Sequence, residues 1–226
     1  MKYMFDTANL NEIEKYMKIY PICGVTTNPS ILKAEGKVGF YSHLKAMRKL
    51  IGNRSLHVQT ISADAAAMVK EAEAIVNGVD RDVFIKIPTT EEGLMAMGQL
   101  KAMGIGVTAT AVYSQVQGFM AIAAGADYVA PYCNRMENLD ADPYEAIAAM
   151  RYMIEEEESS AQILAASFKN IGQVNRAFLS GAHTATVQPA LLHSTFQMAA
   201  IHKAVDDFKA DWVAVRGDVS LADLTE

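Results

Sequence analysis

The stretch that decides the fold is Val83-Phe-Ile-Lys-Ile-Pro-Thr-Thr-Glu-Glu92 together with Gly106-Val-Thr-Ala-Thr-Ala111. The β-branched and apolar run at 83–87 predicts a strand. The segment Thr89–Glu92 resembles a capping box, which predicts a helix that runs to Met103-Gly104. A second strand-like run follows directly at 106–111. A strand, a helix and a strand in this order are typical of one parallel βαβ unit.

The same alternation continues along the whole chain. Further helix starts are indicated at Asn9, at Ser62-Ala-Asp-Ala65 and at Asp142-Pro143. The runs that predict strands are Lys2–Phe5, Ile22–Val25, Leu56–Thr60, Val83–Ile87, Gly106–Ala111, Tyr128–Tyr132, Gln162–Ala166 and Thr184–Val187. Eight strand–helix units favour a closed barrel over an open doubly wound sheet, and no glycine-rich dinucleotide fingerprint follows the first strand. We therefore predict an α/β protein, a (β/α)8 TIM barrel with an extra C-terminal helix.

Length and composition set the limits of this prediction. A chain of 226 residues with 51% hydrophobic residues can bury one large core, and no linker divides it, so we predict a single domain over residues 1–226. With 26 acidic and 20 basic residues, the net charge of -6 argues against nucleic acid as a partner. No leader-like pattern opens the sequence and no apolar run approaches the ~18 residues of a membrane span. We expect a cytoplasmic protein without membrane contact.

Lys86 is the residue that most clearly interrupts a strand pattern. Period-two alternation places Phe84 and Lys86 on one face of the strand and the branched residues on the other. If the branched face packs against outer helices, Lys86 points into the barrel. Burial would lower its pKa and yield the neutral amine that attacks a ketone to form a Schiff base. The alternative is a lysine whose stem is buried and whose charge stays in water.

Other polar residues stand near the ends of the predicted strands, where barrel active sites lie. Asp6 ends the first strand and is either a site carboxylate or an N-cap for the next helix. The turn after the second strand offers Thr26 and Asn28, or is purely structural. The other candidates, each of which is also explained as a polar core residue, are His57, Gln59, Thr108, Thr110, Tyr132 and Asn134.

A candidate anion site follows the sixth and seventh strands. Arg135 supplies a guanidinium, and Ser167-Phe-Lys169 supplies a hydroxyl and an ammonium. Such groups at neighbouring strand ends suit an oxyanion, although ordinary basic surface residues would look the same. The five histidines show no HxH or HxxxH spacing and no clustered carboxylates, so we predict no metal site and no cofactor.

Six motifs resemble those of the transaldolase family, and specifically its fructose-6-phosphate aldolase branch. They are Phe5-Asp-Thr7, Gly24-Val-Thr-Thr-Asn-Pro-Ser30, Phe84-Ile-Lys-Ile-Pro88, Thr110-Ala-Val-Tyr113, Tyr128-Val-Ala-Pro-Tyr-Cys-Asn-Arg135 and Ala165-Ala-Ser-Phe-Lys169. The resemblance covers essentially the whole chain. It implies a class I aldolase that cleaves or forms the C3–C4 bond of a fructose-6-phosphate-like ketose, giving dihydroxyacetone and an aldose phosphate.

The resemblance also implies roles for individual residues. Lys86 would form the imine and Asp6 would assist proton transfer. Asn28 and Ser167 would orient the donor end of the substrate, and Arg135 with Lys169 would face its distal anion. The residues that would hold the catalytic water are Gln59, Thr110 and Tyr132. Gln59 and Tyr132 stand where the family's transaldolases typically carry glutamate and phenylalanine, which resembles the aldolase branch.

Some positions depart from the branch, and they leave alternatives open. His57, Thr108 and Ala109 stand where the aldolases carry a large apolar residue, a leucine and a glycine. The alternatives are a transaldolase that transfers the dihydroxyacetone unit, a ketose with another terminal anion such as 6-deoxy-6-sulfofructose, and a barrel that binds sugar phosphates without turnover. By resemblance, residues 199–226 form a helical tail that packs on a neighbouring subunit in a homo-oligomer, a pentamer or decamer.

Overall fold

The computed structural model describes residues 1–224 and shows a closed barrel of eight parallel strands. Each strand pairs with its neighbour in chain order, and the eighth closes the barrel against the first. The strands are β1 Lys2–Asp6, β2 Ile22–Thr26, β3 Ser55–Gln59, β4 Val83–Pro88, β5 Val107–Val112, β6 Tyr128–Pro131, β7 Gln162–Ala165 and β8 Thr184–Val187. The predicted (β/α)8 fold is confirmed, and every predicted strand is present within one residue of its predicted bounds.

Helices follow the strands along the chain. They are α1 Leu10–Tyr16, α2 Pro29–Ala34, α3 Phe40–Ile51, α4 Ala65–Gly78, α5 Glu91–Ala102, α6 Gln115–Ala123, α7 Cys133–Glu137, α8 Pro143–Glu156, α9 Ile171–Leu179, α10 Pro189–Ser194 and α11 Ala199–Arg216, with a 3-10 turn at Leu221–Asp223. The extra C-terminal helix is therefore confirmed as α11. It spans Ala199–Arg216 and so lies within the predicted helical tail of residues 199–226.

The capping box predicted at Thr89–Glu92 is wrong by one residue. Thr90, not Thr89, is the N-cap of α5, and its side chain accepts from the Gly93 N–H. Thr89 Oγ1 instead donates to the backbone O of Thr110 on β5, and Glu92 accepts from the Ala65 N–H. The box fails because both of its side chains have longer-range partners that the local spacing does not show.

The chain comprises two compact units. The first is Met1–Pro189 and contains all eight strands; the second begins at Ala190 and contains α11 and the 3-10 turn. The prediction of a single domain with residues 199–226 as a tail on a neighbouring subunit stays a prediction, and the tail's Thr225 and Glu226 lie outside the described residues. No helix within residues 1–224 combines the length and the apolarity that crossing a membrane requires.

Gly93 seats the first turn of α5 against the end of β4, and its substitution gives a test of the fold. A Cβ at Gly93 would lie 1.9 Å from the Pro88 carbonyl oxygen, a backbone atom that cannot move aside alone. We expect Gly93→Ala to lower the free energy of unfolding by about 1–3 kcal/mol. Gly98 on the same helix has no atom within 4 Å of its Cβ position.

Gly98→Ala is therefore the matched control, and it should raise stability by about 0.5–1 kcal/mol because alanine is the better helix former. Urea unfolding of both variants measures the difference. Equal effects of the two substitutions would show that close packing between α5 and β4 does not constrain this position.

Candidate active site

The predicted site residues converge on the carboxyl ends of the strands. Asp6, Thr26 and Gln59 are the last residues of β1, β2 and β3, and Lys86 lies two residues before the end of β4. Register pairs Asp6 with Thr26, and Gln59 with Lys86. Because all eight strands are parallel and closed into a ring, these ends surround one mouth of the barrel.

Lys86 lies inside the barrel. Its Nζ donates to the backbone O of Thr27, 2.9 Å away, at the end of β2 and therefore two strands from β4. The residue is only 4% exposed, which does not fit the alternative of a lysine with its charge in water. Burial lowers the pKa of Lys86 below the ordinary lysine value, and the Asp6 carboxylate opposes this shift. A larger fraction of neutral amine is the result.

Asp6 belongs to a hydrogen-bonded row across β1, β2 and β8. Thr26 Oγ1 donates to Asp6 Oδ1 at 2.7 Å and lies 2.7 Å from Thr186 Oγ1. Since Thr26 has one hydroxyl proton and gives it to the carboxylate, Thr186 must be the donor in the second bond. Burial raises the pKa of Asp6, while Lys86, the Thr26 bond and Arg135 lower it. Asp6 is not the N-cap of α1, because Asn9 fills that position.

Tyr132 and Thr110 form a second polar pair at the mouth. Tyr132 OH and Thr110 Oγ1 lie 2.8 Å apart, and both residues are buried. Burial raises the pKa of Tyr132, while the Thr110 bond and Arg135 oppose the rise. The phenol is therefore protonated at neutral pH and can donate or relay a proton.

Arg135 is held at the mouth by two tyrosines. Its Nη1 donates to Tyr113 OH at 3.1 Å, and its guanidinium carbon lies 4.8 Å from the centre of the Tyr132 ring. The same guanidinium favours the charged form of Asp6, so its positive charge reaches the centre of the site. The residue is exposed, which leaves the remaining guanidinium N–H groups accessible to an anion.

His57 and Thr108 lie deeper in the barrel. His57 Nδ1 is 2.8 Å from Thr108 Oγ1, and the ring stacks on Phe84 and meets Tyr128 edge-on. Burial lowers the pKa of His57 to about 3, so the imidazole is neutral at physiological pH. Thr108 is the register neighbour of Lys86, so this layer forms the floor beneath the lysine.

Gln59 and Asn28 differ in how their side chains are used. The Oε1 atom of Gln59 is buried and has no hydrogen-bond partner among the described residues. Such an atom is costly unless a water or ligand donates to it, which suits a water-binding role. Asn28 Oδ1 accepts from the Ile31 N–H as the N-cap of α2. This oxygen therefore has a structural role, which is the alternative to substrate binding that the sequence left open for this turn.

The segments after β6 and β7 lie side by side. The Asn134 N–H donates to the Ser167 carbonyl at 2.9 Å, which places Ser167 next to the helix that carries Asn134 and Arg135. Ser167 has φ 64, a left-handed conformation that is strained for a residue with a side chain. Lys169 is exposed, and its backbone N–H donates to Gln173. No contact within residues 1–224 ties the Lys169 ammonium to the mouth.

The sequence did not indicate several residues of this site. Thr186 completes the Asp6 row, Thr27 accepts from Lys86, and Tyr113 holds Arg135. Thr186 shares a face of β8 with Thr184, so a polar period-two pattern was available as a signal. Thr27 acts through its carbonyl, for which no side-chain pattern exists.

A metal was not expected at this site. Across the described chain, no three histidine, cysteine, aspartate or glutamate side chains are grouped closely enough to hold an ion. The polar groups around Lys86 are instead hydroxyls, amides and one carboxylate. The prediction that the protein uses no cofactor stays a prediction.

Comparison with known proteins agrees with the geometry. Residues 3–219 match the family model described as Transaldolase/Fructose-6-phosphate aldolase. A relative from Streptococcus pneumoniae (strain ATCC 700669 / Spain 23F-1), named "Probable fructose-6-phosphate aldolase", is 47% identical over 222 residues, which cover 98% of this chain and 100% of the relative. A match of this extent, on a barrel with a buried lysine at its mouth, means that the chain belongs to the transaldolase/fructose-6-phosphate aldolase family.

Proposed function

We propose that the protein is a class I aldolase that cleaves or forms the C3–C4 bond of a fructose-6-phosphate-like ketose. The observation that carries the proposal is Lys86, a buried lysine at the barrel mouth whose pKa is lowered by desolvation and whose Nζ is held by the Thr27 carbonyl. The family to which the chain belongs and the name of its relative support the same reaction.

The first step is imine formation. The neutral Nζ of Lys86 attacks C2 of the ketose, and a proton moves from the new ammonium to the alkoxide to give a carbinolamine. A second proton, for which the Asp6 carboxyl is the donor, lets the hydroxyl leave as water and gives the protonated imine. Asp6 lies in the same barrel mouth and favours the cationic form of Lys86, so it stabilises the iminium that replaces the ammonium. Its raised pKa lets the carboxyl exchange protons closer to neutral pH than an exposed aspartate does.

The second step breaks the carbon–carbon bond. A base removes the C4 hydroxyl proton, the C3–C4 electrons move into the iminium to form an enamine, and the aldose phosphate leaves. The paired hydroxyls of Tyr132 and Thr110, with the unpartnered oxygen of Gln59, suit a water that carries this proton. Protonation of the enamine at C3 and hydrolysis then release dihydroxyacetone and restore Lys86.

Arg135 is the group best placed for the distal anion. It is exposed at the mouth, fixed by Tyr113 and Tyr132, and close enough to Asp6 to act on its charge. Ser167 lies beside the neighbouring helix, and we assign to it and to Thr26, Asn28 and Lys169 supporting contacts to the substrate. A fixed guanidinium can bind the tetrahedral oxygens of a phosphate or a sulfonate.

Reductive trapping tests the proposed function. Borohydride added to the protein with dihydroxyacetone or fructose 6-phosphate should fix a three-carbon adduct on the peptide that contains Lys86, detected by mass spectrometry. An adduct on another lysine, or none, contradicts the proposal. Detectable aldehyde product from the purified protein excludes a barrel that only binds sugar phosphates.

Release and transfer are separated by the fate of the three-carbon unit. Free dihydroxyacetone should accumulate from fructose 6-phosphate without any added aldose, because the aldolase step ends in hydrolysis. Negligible release until an aldose acceptor is supplied would identify a transaldolase instead. The same assay with 6-deoxy-6-sulfofructose shows which terminal anion Arg135 serves.

We further propose that the protein works in the cytoplasm as a homo-oligomer. Its two cysteines, Cys23 and Cys133, are both free thiols, which suits a reducing compartment. Helix α11 exposes apolar side chains at spacings of three to four residues or twice that, which put them along one side of the helix. These side chains are Ile201, Val205, Phe208 and Val215. Light scattering of the purified protein measures the number of subunits.

A further inference from the structure

Gln173 is a buried polar residue to which neither the sequence nor the proposed chemistry gives a role. It lies in the first turn of α9 and is 6% exposed. Its side chain touches both segments that carry the candidate anion-binding groups. Through Lys169 it reaches the loop after β7, and through Asn134 it reaches α7 after β6.

The hydrogen bonds of Gln173 fix which way its amide points. The backbone N–H of Lys169 can only donate, so the atom 2.7 Å away must be the Gln173 carbonyl oxygen. The amino group then faces the opposite way and donates both of its protons, one to Asn134 Oδ1 at 3.1 Å and one to Glu137 Oε2. The carboxylate of Glu137 can only accept, which requires the same orientation.

This orientation is passed on to Asn134. Because its Oδ1 accepts from Gln173, its Nδ2 must point away from Gln173. Within the described part of the chain, that Nδ2 has no acceptor. The backbone N–H of Asn134 donates to the Ser167 carbonyl, and Arg135 is the next residue, so the unpaired donor belongs to the segment that carries the groups proposed for the distal anion.

Glu137 is itself held in place, which makes the arrangement rigid. Tyr144 OH donates to Glu137 Oε1 at 2.8 Å, and Arg176 Nη1 lies 3.4 Å from the same oxygen. The guanidinium of Arg176 also lies over the Tyr144 ring, 3.7 Å from its centre. The other oxygen of Glu137, Oε2, accepts from the Gln173 amino group.

We propose that Gln173 is a positioning residue that orients the Asn134 carboxamide with its amino group toward the substrate's terminal anion, and that Asn134 Nδ2 is a selectivity contact for that anion. The role rests on the proposed function, because it assumes a substrate anion beside Arg135. A carboxamide held in this orientation favours an oxyanion, because only its N–H group faces the substrate. An amide that is free to turn would present its oxygen to the substrate equally well and would not favour an anion.

The double variant Glu137→Gln with Gln173→Glu exchanges hydrogen-bond donors and acceptors in this network, while the side chains keep nearly the same size and shape. Glu at 173 still accepts from the Lys169 N–H, and Gln at 137 still accepts from Tyr144 while donating to position 173. Both bonds that the Gln173 amino group donates in the wild type therefore reverse direction. Asn134 must then turn its amino group toward position 173 and its oxygen toward the substrate. In aldol synthesis, we expect the KM for glyceraldehyde 3-phosphate to rise about tenfold or more.

The KM for unphosphorylated glyceraldehyde and the yield of the dihydroxyacetone adduct on Lys86 should stay within about twofold of the wild type, since neither involves the anion. The single variant Glu137→Gln is the control. It weakens the link to Gln173 but leaves Gln173 donating to Asn134, so its KM for glyceraldehyde 3-phosphate should stay close to the wild-type value.

Three outcomes would overturn the proposal. The KM values for both acceptors could rise together, the control could equal the double variant, or the double variant could equal the wild type. If circular dichroism shows that the double variant does not fold, Gln173→Met decides, because it removes the donor to Asn134 and must raise the KM for the phosphorylated acceptor alone. Absence of a wild-type adduct contradicts the proposed function itself, and this role with it.

Discussion

Substituting methionine for Lys86 is expected to abolish catalysis while leaving the barrel folded. Methionine has an unbranched side chain of similar length, so it fills the same space beneath the mouth but has no amine to attack a carbonyl. We expect kcat/KM for ketose cleavage to fall by about 10⁴-fold or more, the scale seen when a covalent nucleophile is removed. The borohydride adduct should disappear from the peptide that contains residue 86.

Two further variants make this result interpretable. Lys70→Met removes an exposed lysine from α4 and should leave both activity and adduct unchanged. Lys86→Arg keeps a positive charge beside Asp6 but remains protonated and cannot form an imine. If Lys86→Arg retains activity, the charge and not the covalent step is what residue 86 supplies, and the proposed mechanism is wrong.

Replacing Asp6 by asparagine should have the second-largest effect. Asparagine keeps an oxygen for the Thr26 hydroxyl but cannot exchange a proton, so we expect kcat to fall by about 10²-fold or more, within the range of lost general acid–base catalysis. The imine step should respond differently. Asp6 raises the pKa of Lys86, so its neutralisation lowers that pKa further.

The direction of the pH effect on imine formation depends on the protonation state of the Lys86 amine. Imine formation needs neutral Lys86, so its rate increases as pH rises through the lowered pKa of that lysine. In Asp6→Asn this limb should move to lower pH, measured as the rate of adduct trapping with dihydroxyacetone across a pH series. Asp82→Asn removes the same charge at an exposed position and should leave the limb unmoved. A shift to higher pH would show that Asp6 does not act on Lys86.

The fold could be predicted from the sequence because its signals are local. The eight β-rich runs and the helices between them recur in an order that only a few architectures satisfy, and the observed strand bounds differ by at most one residue from the predicted ones. The exception at Thr89 is instructive. Its hydroxyl could either cap α5 or donate to the carbonyl of Thr110. In the structure it donates to Thr110, which lies on another strand.

The placement of the site residues was also accessible from the sequence. Six polar residues follow or interrupt apolar strands, and the structure brings all of them to the mouth of the barrel. They are Asp6, Thr26, Gln59, Lys86, Thr110 and Tyr132. A buried strand has no reason to contain a lysine unless the charge is used or satisfied. Because burying an unpaired charge costs free energy, a lysine within an apolar strand can be recognised from the sequence alone as a candidate functional residue.

Their partners could not be predicted in the same way. Thr26 and Thr186 are 160 positions apart, and their hydroxyls meet only because β8 closes the barrel against β1. The environment that lowers the pKa of Lys86 has the same origin, since desolvation depends on residues from several strands together. Neither the Thr26–Thr186 hydrogen bond nor the lowered pKa of Lys86 can be predicted from the local pattern of apolar and polar residues.

The amino-acid sequence therefore determined the eight strand–helix units, the face on which each polar residue lies, and the candidate nucleophile, because alternation and burial cost act within one element. Only the tertiary structure decided which groups those residues meet: the Thr27 carbonyl at Lys86, Thr186 in the Asp6 row, and Gln173 behind Asn134. The reason is geometric. Hydrogen bonds act over about 3 Å, and only the closure and register of the barrel bring distant segments within that range.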